Sequence, residues 1–141
     1  MIGGKRPTNH ARRVRSEPPR FVEDGLSFTN DGELAVYRML KKIQTSMPSD
    51  ETIGIFPLPG GRLPGKTWEP DVLVTYKRRV GVLEIDGPDH NARRAMDMSR
   101  DSIWLDSGVA YVDRITVEAV TNPKELELFL RKFLKRVEQA S

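Results

Sequence analysis

Apolar residues recur along this chain with two periods. Between Asn30 and Met47, Leu34, Tyr37, Met39-Leu40 and Ile43 give the broad apolar face of a helix. Asn30 is a suitable N-cap, Glu33 stands three residues on as in a capping box, and Pro48 lies just past the end. The same period returns near the C-terminus in Leu126, Phe129, Leu130, Phe133, Leu134 and Val137, opened by Asn122-Pro123. Lys124, Arg131, Lys132, Lys135 and Arg136 occupy its other faces.

The middle of the chain reads differently. Thr52–Leu58, Asp71–Tyr76, Val80–Asp86 and a run from Val109 through Val112 towards Ile115 are short and rich in β-branched residues, which predicts strands. Lys77-Arg78-Arg79 joins the second and third as a hairpin. Asn91–Ser107 predicts a helix closed by Gly108. The order is helix, three strands, helix, strand, helix. A hairpin followed by a strand–helix–strand unit predicts an α/β fold with a mixed sheet and helices on both faces.

Composition narrows the setting. The 141 residues suffice for one domain with a core, expected over 21–141. The absence of cysteine excludes disulfides and thiolate metal sites. No apolar stretch approaches the roughly 20 residues of a membrane helix, and none resembles a signal peptide, so no membrane partner and a cytoplasmic location are expected.

Charge is unevenly distributed. Residues 1–20 hold Lys5, Arg6, Arg12, Arg13, Arg15 and Arg20 against Glu17 alone, whereas the rest of the chain has 17 bases and 19 acids. With Gly3, Gly4, Pro7, Pro18 and Pro19 and little to bury, this segment reads as a basic arm, flexible on its own. Such an arm either contacts phosphates, through Arg12, Arg13 and Arg15, or is a solvated tail.

Gly60–Thr67 spells the phosphate-loop pattern G-x-x-x-x-G-K-[ST]. That loop works only when its Gly-Lys-Thr opens a helix whose amides face the phosphates. Here Trp68-Glu69-Pro70 follows, and proline opposes a helix at that point. The stretch is therefore expected to be a flexible connection feeding the next strand, with Lys66 a free cation on it.

The acids that interrupt the central hairpin carry more information. Side chains alternate along a strand, so Glu84 and Asp86 share one face while Leu83 and Ile85 share the other. Strand pairing would bring Asp71 beside them. Clustered carboxylates repel and must lose water, which is costly unless a cation neutralises them, and oxygen donors suit a hard cation such as Mg²⁺. His90 follows directly and could act as general base or acid. Arg93, Asp97, Arg100, Asp101 and Trp104 then line one side of the predicted helix, either as site residues or as solvated partners. By local pattern, Glu33 reads first as a capping residue.

The stretch from Glu69 to Thr116 resembles the PD-(D/E)xK nuclease superfamily, in particular the branch related to the very-short-patch mismatch repair endonuclease and to small bacterial and phage proteins. The resemblance rests on Asp71, Glu84-Ile85-Asp86-Gly87, His90, Asp97, Arg100-Asp101, Leu105, Gly108 and Arg114, and spans about residues 29–118. It implies an αβββαβ restriction-endonuclease-like core with an added C-terminal helix. It further implies a DNA endonuclease using Mg²⁺, or Mn²⁺, held by Asp71, Glu84 and the main chain of Ile85. His90, oriented by Asp97, would assist the water or the leaving group, and Glu33 matches a helix carboxylate of many members. Asp86 stands where many members have lysine. His90, Lys66, Lys77 or Arg100 could fill that role, or activity could be lost, leaving a nucleic-acid-binding or assembly subunit. Whether Asp86 serves a second metal or the Gly87 turn stays open. On the same reading Lys77, Arg78 and Arg79 are expected phosphate contacts, and double-strand cutting would require a homodimer or larger nucleoprotein complex.

Overall fold

The computed structural model describes residues 21–57, 59–63, 66–68, 70–86 and 101–140. Two short strands, β1 (Phe21–Glu23) and β2 (Leu26–Phe28), precede helix α1 (Asp31–Thr45). Strand β3 (Ile53–Pro57) is followed by β4 (Gly61–Leu63) and β5 (Lys66–Trp68), then by β6 (Val72–Tyr76) and β7 (Arg79–Asp86). Residues 101–106 are helical and form α2. Strand β8 (Tyr111–Thr116), a 3-10 turn (Ala119–Thr121) and helix α3 (Pro123–Gln139) complete the chain.

Four strands make one mixed sheet in the order β3-β6-β7-β8. The first three are antiparallel neighbours, and β8 runs parallel to β7 across the crossover that contains α2. The fold is thus α/β, as the two periodicities predict. Alternation along β7 assigns the two layers. Gly81 and Leu83 face α1 and α3, where Val36, Leu40, Ile43, Val72, Val74, Leu130, Phe133 and Val137 form the main core. Val82 faces the other way and packs with Trp104 of α2 and Val112 of β8.

Gly81 sets the closeness of the first layer. A Cβ at this position would lie 2.5 Å from Val137 Cγ2 and 2.8 Å from Phe133 Cζ, so α3 rests directly on the strand backbone. Both caps foreseen for the helices are present. The Asn30 side chain accepts from the Glu33 amide, and Asn122 accepts from the amides of Lys124 and Glu125.

The β6–β7 connection is tighter than its sequence suggests. Tyr76 pairs with Arg79, leaving Lys77 and Arg78 as a two-residue turn with φ of 50° and 66°. This is the type I′ geometry that usually selects Asn-Gly, and each residue with a Cβ costs about 1 kcal/mol there.

Two expectations are corrected. Residues 59–69 are not a plain connection: β4 and β5 pair antiparallel, with Arg62 opposite Thr67 and Leu63 opposite Lys66. Lys66 and Thr67 lie in a strand and open no helix, which removes the phosphate-loop reading on structural grounds. The β1–β2 hairpin is also additional to the predicted elements. Its turn is Asp24-Gly25, with φ of 55° and 76°.

That hairpin is fastened to α1. Phe28 is fully buried with its ring centroid 5.0 Å from that of Tyr37. The Tyr37 hydroxyl donates to Asp24 Oδ2 at 2.6 Å, and Arg38 and Lys41 pair with Glu23. Burial, reinforced by the Asp24 carboxylate, pushes the Tyr37 phenol up to about 12 from its ordinary 10.0. The raised value means that the unfolded chain releases this proton first. Stability from Tyr37 is whole below pH 10 and is lost as pH rises towards 12. We expect Tyr37→Phe to flatten the alkaline loss of stability between pH 9 and 11.5 by roughly 2 kcal/mol, measured by urea unfolding. An unchanged slope would remove Tyr37 as its source.

Candidate active site

The central strand β7 carries its acidic residues on the face turned away from α1 and α3. Glu84 and Asp86 follow Val82 on the α2 face, as period-two alternation requires. Glu84 is only 3% exposed. Its cross-strand neighbour is Asp71, one position beyond the Val72–Leu83 pair of β6 and β7, and its parallel partner on β8 is Arg114. Asp71 stands just before β6 rather than within it.

Asp71 and Glu84 are held by each other's strands. The Asp71 amide donates to Glu84 Oε2 at 3.2 Å, and the Ile85 amide donates to Asp71 Oδ2 at 2.7 Å. These bonds fix two carboxylates side by side at the end of adjacent strands. Ile85, expected to serve through its carbonyl, contributes its amide to Asp71, while its side chain turns towards the core.

Asp86 has a different partner. Its Oδ1 is 3.5 Å from an Arg114 guanidinium nitrogen, and the other terminal nitrogen of Arg114 bonds Asp101 of α2. Arg114 and Asp101 were legible only as parts of a motif and of a helix face. The signal that singles out Arg114 is a base within the short strand Tyr111–Thr116, where the parallel register sets it opposite Glu84.

Glu33 lies in the first turn of α1 and is 2% exposed. Its Oε1 accepts from the Thr29 amide at 2.8 Å and from the Thr29 hydroxyl at 2.8 Å, so it closes a capping box that reaches one residue further back than Asn30. The first turn of α1 meets the same end of the sheet as Asp71 and Glu84: a Cβ on Gly32 would be 3.6 Å from Ile85 Cγ2.

Lys77, Arg78 and Arg79 sit at the opposite end of the sheet, roughly 17 Å from Asp71 at the rise of a β-strand. Lys77 bonds Glu138 of α3 at 2.9 Å, and this partner raises its pKa. Arg12, Arg13, Arg15, His90, Asp97 and Arg100 lie outside the described residues. Lys66 occupies the end of β5 that pairs with Leu63.

Among the described residues, no three His, Asp or Glu side chains form a metal-binding group. The pair Asp71–Glu84 nevertheless fits a hard divalent cation. Mg²⁺ keeps several waters and commonly uses only one or two protein carboxylates. Among the described residues no helix is long and apolar enough to cross a membrane. No family model, curated protein or solved structure matches this chain.

Proposed function

We propose that this chain is a Mg²⁺-dependent DNA endonuclease of the PD-(D/E)xK type. One observation carries the reading: Asp71 and Glu84 are adjacent across two strands, with Glu84 buried. Bringing a buried carboxylate beside a second one is costly, and a cation held between them offsets that cost. The order α1-β3-β6-β7-α2-β8 supports a restriction-endonuclease-like core, because it supplies the αβββαβ succession with the acids at the expected strand ends.

Asp71 and Glu84 would hold the cation, with Ile85 fixing Asp71 through its amide. Mg²⁺, or Mn²⁺ in its place, lowers the pKa of water and offsets charge that builds on the phosphate. His90 would take the proton from water or deliver one to the leaving oxygen, with Asp97 setting its orientation. Glu33 supports this end of the sheet through its capping bonds to Thr29. Arg12, Arg13 and Arg15, with Lys66 and Arg100, would supply phosphate contacts that are sensitive to salt and largely indifferent to sequence. The basic turn Lys77-Arg78-Arg79 would meet a duplex at a second place, across the length of the sheet. Cutting both strands would require two copies or a larger nucleoprotein complex.

A second reading, a silent nucleic-acid-binding or assembly subunit, is favoured by one feature. Asp86 occupies the position of the usual lysine and pairs with Arg114. The two separate in a single experiment. Supercoiled, linear, nicked, mismatched and single-stranded DNA are incubated with Mg²⁺, Mn²⁺ or EDTA. Cutting that requires the metal is expected. Cutting undiminished by EDTA overturns the metal mechanism, and metal-independent binding without cutting of any substrate favours the silent subunit.

A further inference from the structure

Between α1, the 3-10 turn and the start of α3 lies a cleft of about 290 Å³. Ala35 and Met39 of α1 form one wall, and Val120, Pro123 and Leu126 form the other. Local sequence accounts for the opening. Ala35 and Met39 stand one turn apart, beside the core stripe of Val36, Leu40 and Ile43. The single methyl group of Ala35 leaves space that a longer side chain would fill. Opposite it, Pro123 opens α3 with a rigid ring and no amide hydrogen. Val120 and Leu126 are buried and make the floor, and Met39 is a flexible side chain that adapts to what it touches.

Two cations line the same cleft, Arg38 and Lys42, one helical turn apart on α1. Their side chains are 61% and 67% exposed, which places them at its mouth. Both already hold carboxylates. Arg38 directs Nε and Nη2 to one oxygen of Glu23, and Lys42 reaches Glu127 at 3.3 Å. Each acid has a second base: Lys41 bonds Glu23, and Arg131 bonds Glu127. An incoming anion that drew Arg38 and Lys42 towards itself would therefore strand neither acid. Exposed pairs of this kind contribute little and are re-made readily. A guanidinium and an ammonium also carry more donors than these bonds use.

We propose that this cleft binds a small apolar carboxylate, a free aliphatic or aryl acid, with its hydrocarbon part between Met39 and Leu126 and its carboxylate on Arg38 and Lys42. The volume lies at the lower end of the range for small-molecule sites, which suits one hydrocarbon chain or ring rather than a partner's helix. The walls reward apolar surface, and cations at the mouth alone fix which end of the ligand faces outward. A neutral ligand forgoes those cations, and an alkylammonium is repelled by them. The site lies on the side of α1 and α3, and it does not depend on the nuclease reading.

The test follows the methyl group of Met39 by carbon-13 NMR in the full chain, its signal assigned through Met39→Leu. Titration with octanoate should shift that signal with a Kd below about 1 mM. Hexanoate should bind about 5–15-fold more weakly, because its shorter chain covers less of the apolar wall. Octanol and octylammonium should each bind at least about fivefold more weakly than octanoate. In the double variant Arg38→Gln, Lys42→Gln, octanoate should fall to the affinity of octanol, and octanol itself should stay within about twofold of its wild-type value. Ala35→Leu should fill the cleft and abolish binding of both, with urea unfolding as the check that it folds. The double variant changes only exposed side chains and decides the matter if Ala35→Leu does not fold.

Equal affinity for octanoate, octanol and octylammonium overturns the carboxylate assignment, as does octanoate binding that the double variant leaves intact. A Met39 signal unmoved by octanoate up to about 10 mM overturns the site. An acidic leucine-rich peptide that binds there when octanoate does not would assign the cleft to a protein partner and overturn the free acid. None of these readouts involves DNA or a metal, so a failure here leaves the nuclease reading untouched, and the reverse holds as well.

Discussion

Asp71→Asn and Glu84→Gln should each lower metal-dependent DNA cleavage by on the order of 10³-fold, equivalent to roughly 4 kcal/mol of lost stabilisation in the transition state. The amides keep the size of the side chains and remove the charge. The Ile85 amide can still donate to the remaining carbonyl oxygen at position 71, and the Asp71 amide can do the same at position 84. The strand ends should therefore stay in place. Two further measurements separate a functional loss from a folding defect. Mn²⁺ titration should show weakened binding in both variants, and urea unfolding should show stability equal to or above that of wild type. Removing one of two adjacent carboxylates relieves repulsion, and Glu84 no longer buries a charge. A variant that cuts at the wild-type rate would sink the assignment. A variant that loses activity only because it unfolds would return Glu84 to a structural role.

The second large effect lies in the core. Phe133→Ala should destabilise the fold by about 3–5 kcal/mol, since a fully packed aromatic is lost and the space cannot collapse fully. Phe133 is 1% exposed, and its ring lies 5.9 Å from that of Tyr111. Gly81→Ala should cost about 1–3 kcal/mol for the opposite reason. Its new methyl meets Phe133 and Val137 well inside contact distance, and both are core side chains of the same helix. The two defects are complementary in space. The double variant should therefore be destabilised by less than the two single effects combined, because the methyl enters part of the space that Phe133 leaves. Urea unfolding of the four proteins gives the coupling directly. Strict additivity would mean that α3 moves as a unit to relieve Gly81→Ala.

Much of the fold was legible because its elements are strongly periodic. The faces of α1 and α3 follow from Leu34, Tyr37, Leu40, Leu126, Leu130 and Phe133, which are all buried. The face shared by Glu84 and Asp86 follows from alternation alone. Elements with fewer than about four residues escaped, since a three-residue strand is too short to show a period. The Asp24-Gly25 pair was a local hairpin signal that its short, charged flanks obscured. Residues 59–69 looked like a connection because Gly and Pro dominate them, yet glycine and proline also bound tight hairpins. Within the site, the adjacency of Asp71 and Glu84 was legible from the hairpin. The pairing of Arg114 with Asp86 and Asp101 was not, because it depends on the parallel register of β7 and β8 and joins residues from separate elements. That contact needs the crossover to be folded before it exists.

The alternation of β7 has a consequence for how this protein can change. Leu83 and Ile85 belong to the core, and Glu84 and Asp86 to the opposite side, so a slip by one residue would press two acids against Phe133 and α3. At the end of β7 the core side chains Leu83 and Ile85 alternate with Glu84 and Asp86, the acids of the proposed site. Insertions or deletions within this strand should be purged as folding failures before any loss of activity is seen. Amide substitutions at Glu84 and Asp86 keep the register and the side-chain size and so avoid that penalty. Diverged copies of this chain are therefore expected to shed the acids one at a time while the length of β7 remains fixed.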